Sequence, residues 1–245
     1  MKITILGPWG AYPKAGEATA GYLLEHEGEK ILIDCGSGVL SRLQFYIDLH
    51  ELTAVYITHT HYDHIADLGC LQYACLIDTD LNRRTKPLPI YLAAEDRDVI
   101  HAYRSMSGSE IISFCEPDTF DIHGLKLSFI KTYHGVFCLA IKAEAGGKTV
   151  VYTADTCYDH SFVPFCYEAD LLIAETSFYA EFNARNYGHM NAQEVGILGR
   201  TANVKKLALT HLPHFGELET LVDEAKAEYE GDVILCHSGL VFSLA

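Results

Sequence analysis

The chain has 245 residues, 49% of them apolar, and 18 basic against 33 acidic residues give it a formal charge of −15. A chain of that length can bury a large core in one domain. The acidic excess disfavours a broad nucleic-acid surface, because affinity for nucleic acid comes largely from neutralised phosphates. It does not exclude small phosphorylated substrates, which carry few phosphates. Cys35, Cys70, Cys75, Cys115, Cys138, Cys157, Cys166 and Cys236 stand singly, without a Cys-x-x-Cys pair, and read as free thiols, most of them buried. The chain opens directly on an apolar stretch, Lys2-Ile-Thr-Ile-Leu6, and no apolar run approaches the ~20 residues of a membrane span. The expectation is a cytoplasmic protein with no membrane association.

In chain order, 3–6, 19–24 and 30–33 read as strands of one sheet, separated by Gly- and Pro-bearing loops at 7–10 and 13–16. Asp34 follows the last of them. A helix is expected over 39–49. The apolar, β-branched run 52–57 reads as a buried strand, and a helix is expected from Ile65 to Ile77. Between them lies Thr58-His59-Thr60-His61-Tyr62-Asp63-His64. A charged link covers 78–86, a strand 88–93 and a helix 95–106, with His101 read as a surface residue. Strands are expected at 111–120 and 125–132, with His123 in a surface turn and His134 just beyond the second. A hairpin over 137–143 and 148–153, turned by Gly146-Gly147, leads to Asp155. The run 169–175 is a buried strand ending in Glu175. His189 lies in the loop before a helix over 192–201. The strand 204–209 delivers His211. A helix over 221–229 and strands at 233–236 and 240–244 close the chain, which reads as a single domain, 1–245.

The 58–64 stretch carries the chemistry. Imidazole nitrogen and carboxylate oxygen both suit zinc, at about 2.0–2.2 Å. In an extended turn, residues two apart point the same way, so His59 and His61 can share one metal, while Asp63 and His64 lie further round and face a second. One histidine would be unremarkable; four ligand-type residues within six positions at a strand end are a metal site. Ligand-type residues then recur at strand ends: Asp34, His134, Asp155, Glu175 and His211. Taken one at a time, Asp34 reads equally as a turn residue and Asp155 as a helix N-cap.

His-x-His-x-Asp-His after an apolar strand resembles the signature of the metallo-β-lactamase fold superfamily. The resemblance implies an α+β, four-layer αββα sandwich with a one- or two-metal site. It implies metal one at His59, His61 and His134, metal two at Asp63, His64 and His211, Asp155 as the bridge, and Asp34 as a brace of the metal loop. The segments 171–176, 188–194 and 207–211 are similar to the ribonuclease Z group. That similarity implies that His189 contacts the scissile phosphate and can donate a proton, that Glu175 orients it, and that the protein forms a homodimer. Only twenty residues separate His134 from Asp155, filled by a hairpin, and no Gly/Pro-rich tRNA-gripping arm is apparent.

The expected activity is therefore a phosphodiesterase on a small or cyclic phosphodiester, by metal-activated hydroxide, with Asp63 a partner for the hydroxide proton and long nucleic acid disfavoured. Zinc is the default metal, and manganese, iron or cobalt also suit the donors. One alternative is a thioester or lactone hydrolase of the same fold. The other is a non-enzymatic metal-binding or sensing protein. His214, three residues after His211, lines the pocket or lies at the surface.

Overall fold

The computed structural model describes residues 1–95 and 103–244. It divides into two compact units, Met1–Cys115 with His237–Ser243, and Glu116–Cys236. Each unit is built on one seven-stranded mixed sheet.

The first sheet is ordered β14-β1-β2-β3-β4-β5-β6. Its strands are β1 (Lys2–Gly7), β2 (Gly21–His26), β3 (Glu29–Ile33), β4 (Ala54–Ile57), β5 (Leu88–Ala93), β6 (Ser109–Phe114) and β14 (Val241–Ser243). From β3 to β6 the pairing is parallel; β14, β1, β2 and β3 pair antiparallel. β4 is buried throughout, as a central parallel strand covered on both faces must be. The helix Leu68–Asp80 buries Leu68, Leu71 and Cys75 in the same core cluster as Leu32, Val55 and Ile90.

The second sheet is ordered β13-β12-β11-β10-β9-β8-β7. Its strands are β7 (Thr119–Ile122), β8 (Leu125–Lys131), β9 (Leu139–Ala145), β10 (Lys148–Tyr152), β11 (Leu171–Glu175), β12 (Lys206–Thr210) and β13 (Asp232–Leu235). Here too one half is an antiparallel meander, β7 to β10, and the other is parallel, β10 to β13. The helix Ala192–Thr201 occupies the expected span. It starts at a capping box in which Asn191 Oδ1 accepts from the Glu194 N–H (2.9 Å) and the Glu194 carboxylate accepts from the Asn191 N–H (3.0 Å).

Three expectations need correction. The helix expected over 39–49 stops at Leu43, and a separate 3-10 turn forms at Leu49–Glu51. Arg84 lies 35 residues beyond Leu49, and its Nη2 donates to the carbonyls of Leu49, His50 and Leu52, which fixes the 3-10 turn and the chain leading into β4. The strand expected over 111–120 is two strands, β6 and β7, one in each unit. The break falls at Glu116-Pro117, and proline has no N–H to give a ladder. The helix expected from Ile65 is preceded by a single turn at Tyr62–Ile65 and begins properly at Leu68. The helix expected over 95–106, with His101, falls largely outside the described residues. Among the described residues no helix is long and apolar enough to cross a membrane.

Candidate metal centre

In the first unit, β3 and β4 run parallel with Ile33 opposite Tyr56, so their C-terminal ends lie side by side. That is where open α/β sheets place ligands. Asp34 leaves β3 in a left-handed conformation (φ 57°), and its N–H donates to Tyr56 O. Its fully buried carboxylate accepts from the Thr58 N–H (2.8 Å), the Thr58 hydroxyl (3.0 Å) and His64 Nδ1 (2.8 Å). The Thr58 oxygen also lies 3.1 Å from His59 Nδ1. A hydroxyl has one proton, and a carboxylate accepting a backbone N–H takes it, so the Thr58 oxygen accepts from His59 Nδ1–H. One carboxylate thus orients His64 directly and His59 through a hydroxyl. Both rings are left with Nε2 as the nitrogen carrying a lone pair.

His59 Nε2 lies 3.1 Å from His61 Nδ1, a spacing suited to a shared proton or cation. Asp63 Oδ2 accepts from the Ala11 N–H (2.8 Å) and sits 3.8 Å from His64 Nε2. Gly36 lets the two chain segments meet: a Cβ there would fall 2.0 Å from Asp63 O and 2.2 Å from Thr19 Oγ1.

In the second unit β8, β10, β11 and β12 all point the same way, because β9 is antiparallel to both β8 and β10 and the rest pair parallel. Their C-terminal ends deliver His134, Asp155, Glu175 and His211 to one edge of the sheet. The ends of β8 and β10 are tied by Thr132 Oγ1 donating to Asp155 O (2.7 Å) and Cys157 N–H donating to Tyr133 O (2.9 Å). Asp155 Oδ2 lies 3.6 Å from His134 Nε2, and Asp155 Oδ1 lies 3.5 Å from His211 Nε2. One carboxylate therefore presents one oxygen to each of two imidazoles. Asp155, His189 and His211 each offer a ligand atom within 4.8 Å of the others.

The orienting pattern of the first unit recurs here. Glu175 is fully buried and accepts from His189 Nδ1 (2.9 Å), the Met190 N–H (3.1 Å), the Thr156 N–H (3.2 Å) and the Ser177 hydroxyl (2.8 Å). The Ser177 oxygen lies 2.8 Å from His211 Nδ1 and accepts its proton by the same one-proton argument. Glu175 orients His189 directly and His211 through a hydroxyl. His134 Nδ1 donates to Gly188 O (2.8 Å), and a Cβ on Gly188 would stand 2.8 Å from that nitrogen, so glycine is needed there.

The donor sets fit divalent metal ions. His59, His64, His134 and His211 each have Nδ1 engaged by an oxygen, which is the arrangement that points Nε2 at a metal. Nitrogen and carboxylate oxygen donors suit zinc, manganese, iron or cobalt.

Each unit gathers its own share of the residues expected from the sequence. Asp34, His59, His61, Asp63 and His64 lie together in the first, and His134, Asp155, Glu175, His189 and His211 in the second. His123 lies in an exposed turn, and His214 is half-buried. Sequence reasoning did not single out Thr58, Ser177 or Gly188. A hydroxyl residue adjoining the ligand cluster was the available signal for Thr58. Ser177 stands 34 residues from the histidine it holds, and nothing local marks it.

The β-lactamase superfamily domain model matches residues 29–212. The chain belongs to the β-lactamase superfamily. It is 40% identical over 242 residues to the "Probable metallo-hydrolase YhfI" of Bacillus subtilis, covering 99% of each chain. The crystal structure of YhfI superposes with a TM-score of 0.95 at 41% identity, covering 98% of each chain, so the fold is the metallo-β-lactamase fold, of the α+β class. Ribonuclease Z of Haloferax volcanii is 25% identical over 299 residues, covering 98% of this chain and 93% of that one. The short form of human tRNase Z has a TM-score of 0.78 at 23% identity, each chain covered completely, which is a likeness of fold.

Proposed function

We propose that the protein is a dinuclear metal-dependent phosphodiesterase acting on a small or cyclic phosphodiester. Superfamily membership and the likeness to a probable metallo-hydrolase support a hydrolase. The observation that favours a phosphodiester is the pairing of the half-buried His189 with the fully buried Glu175 at 2.9 Å, beside Asp155 and His211. Cleaving a carboxylic ester or thioester at a metal centre does not call for such a pair.

In this reading His59, His61, Asp63, His64, His134, Asp155 and His211 are the residues that would hold the metals. The metals, when bound, supply an activated water and positive charge against the phosphoryl oxygens. The chain's own residues do the rest. His189 gives Nδ1–H to Glu175, so its Nε2 is the nitrogen turned to substrate. Protonated there, it donates to the leaving oxygen or steadies the phosphate. One water is consumed: a P–O bond forms to the water oxygen, the P–O bond to the alcohol breaks, and the alcohol oxygen takes a proton. Glu175, held by backbone N–H groups, prevents His189 from turning away.

The test is hydrolysis of bis-p-nitrophenyl phosphate by metal-analysed protein. His189→Ala is expected to keep its metal and lose about 10²–10⁴ of the rate. An untouched phosphodiester, with a thioester or lactone cleaved equally by both proteins, refutes the reading and assigns the chain to the carbonyl hydrolases of this fold.

A further inference from the structure

Beside His189 the second unit carries a run of aromatic rings that the hydrolytic chemistry does not use. Tyr187 lies parallel to Phe178, centroids 5.1 Å apart with 22° between planes. Phe178 reaches the His189 ring at 6.2 Å, Phe182 at 6.0 Å and Phe215 at 6.4 Å, and Phe182 meets Phe215 edge-on at 5.5 Å. The rings form one contiguous patch, yet Tyr187 is 66% exposed, Phe215 45% and Phe182 39%. Scattered exposed aromatics need no explanation; a contiguous patch of them marks a binding surface.

The patch is built rigidly. Phe178 O accepts from the Ala192 N–H, at the start of the helix Ala192–Thr201. Phe182 O accepts from Asn191 Nδ2 (3.1 Å). The Tyr179 hydroxyl donates to Phe215 O (2.8 Å), and Gly216, with φ 73°, leaves room for that ring where a Cβ would come within 2.5 Å. Three of the four rings also lie close in sequence to a site residue: Phe178 after Glu175 and Ser177, Tyr187 before His189, Phe215 after His211. The anchoring that orients the histidines therefore holds the rings as well.

We propose that Phe178, Phe182, Tyr187 and Phe215 form a stacking subsite for a nucleobase, so that the substrate is a small nucleoside phosphodiester. The proposal rests on the phosphodiesterase reading above. An occupant that places a phosphate at His189 and a flat ring on its aromatic neighbours is a nucleoside ester. Stacking is sequence-tolerant, because every base has a π-face. The charge of −15 argues for one or two nucleotides over a long chain, since a polyanion would meet repulsion beyond the metal centre.

The test compares adenosine 2′,3′-cyclic phosphate with glycerol 1,2-cyclic phosphate, which has the same reacting ring and no base. The metal-loaded full chain is assayed alongside Tyr187→Leu and Phe215→Leu. Wild type is expected to favour the adenosine ester about ten-fold or more in KM, and each variant to lose most of that preference. Equal handling of the two esters by wild type overturns the proposal, as does a preference that survives in both variants. Should neither ester be cleaved, the phosphodiesterase reading is decided separately by bis-p-nitrophenyl phosphate. The subsite is then judged by titrating adenosine 5′-monophosphate against the aromatic proton resonances: saturable shifts lost in Tyr187→Leu support it, and no shifts overturn it. A solution dimer that Tyr187→Leu converts to monomer assigns the patch to a second copy of the chain and also overturns it.

Discussion

Asp34 and Glu175 do the same work at the ends of strands in different sheets. Each is fully buried, and each orients one imidazole directly and a second through a hydroxyl, Thr58 or Ser177. Partners at this remove tune metal affinity by about 10–100-fold. Ser177→Ala is accordingly expected to weaken metal binding by that factor, measured by competition with a chromophoric chelator. Ser177→Thr, which keeps the hydroxyl, is expected to restore most of it. The nitrogen NMR spectrum of His211 adds a readout independent of activity: a single Nδ1–H tautomer in wild type, and a tautomer mixture in Ser177→Ala. Equal chelator affinity in Ser177→Ala and wild type contradicts the relay.

Strand ends set the positions of these residues, and two of them, Asp34 (φ 57°) and His211 (φ 53°), are held in left-handed backbone, as is Ala154 (φ 49°), the residue before Asp155. Such conformations cost about 1–2 kcal/mol for a residue other than glycine, and they cluster where a side chain must be aimed. In the first unit, the strand end and the metal loop cross at Gly36. Gly36→Ala would drive a methyl group into Asp63 O, which must move, so metal binding through Asp63 and His64 is expected to fall sharply in calorimetric titration. Asn191→Ala serves as the contrasting change. Losing that cap should cost about 1 kcal/mol, roughly 2–4 °C in Tm, with the metal content kept. A large loss of metal in Asn191→Ala would show that the helix Ala192–Thr201 positions the site, and not merely the fold.

Across the whole chain the cysteines give a direct check on burial. Burial holds the Cys35 thiol well above its ordinary range, with Asp67 and Asp34 adding to it, and pushes Cys166 up to about 12. Burial also raises Cys75, Cys157 and Cys236. Cys70 is exposed and Cys115 partly so. Since the thiolate is the reactive form, a chromogenic disulfide at pH 8 is expected to titrate Cys70 and Cys115 rapidly in the native protein, and the remaining thiols only after denaturation. Fast reaction of Cys35 or Cys166 would contradict the burial described for them. Metal removal should also lower stability: saturation at about 100 times Kd contributes about 2.7 kcal/mol, so a chelator is expected to lower Tm and dilution into excess metal to restore it.

The residues of the candidate site were legible as candidates in the sequence because the elements that carry them are local. A β-branched run followed by His-x-His-x-Asp-His needs no distant information to read as a strand feeding a metal loop. The same holds for the runs that end at Asp155, Glu175 and His211, and for the helix over 192–201, whose capping box lies within four residues. What depended on contacts between distant segments could not be read. Arg84 reaching back to 49–52 holds a separate turn there, and β6 and β7 pair into different sheets although they are close in sequence. The tertiary structure alone decided which nitrogen of each histidine is held. That choice depends on where a hydroxyl, a carbonyl or a carboxylate comes to lie after the strands are paired. It also decided that Phe178, Phe182, Tyr187 and Phe215 share one surface, since their spacing along the chain has no period that would bring them together.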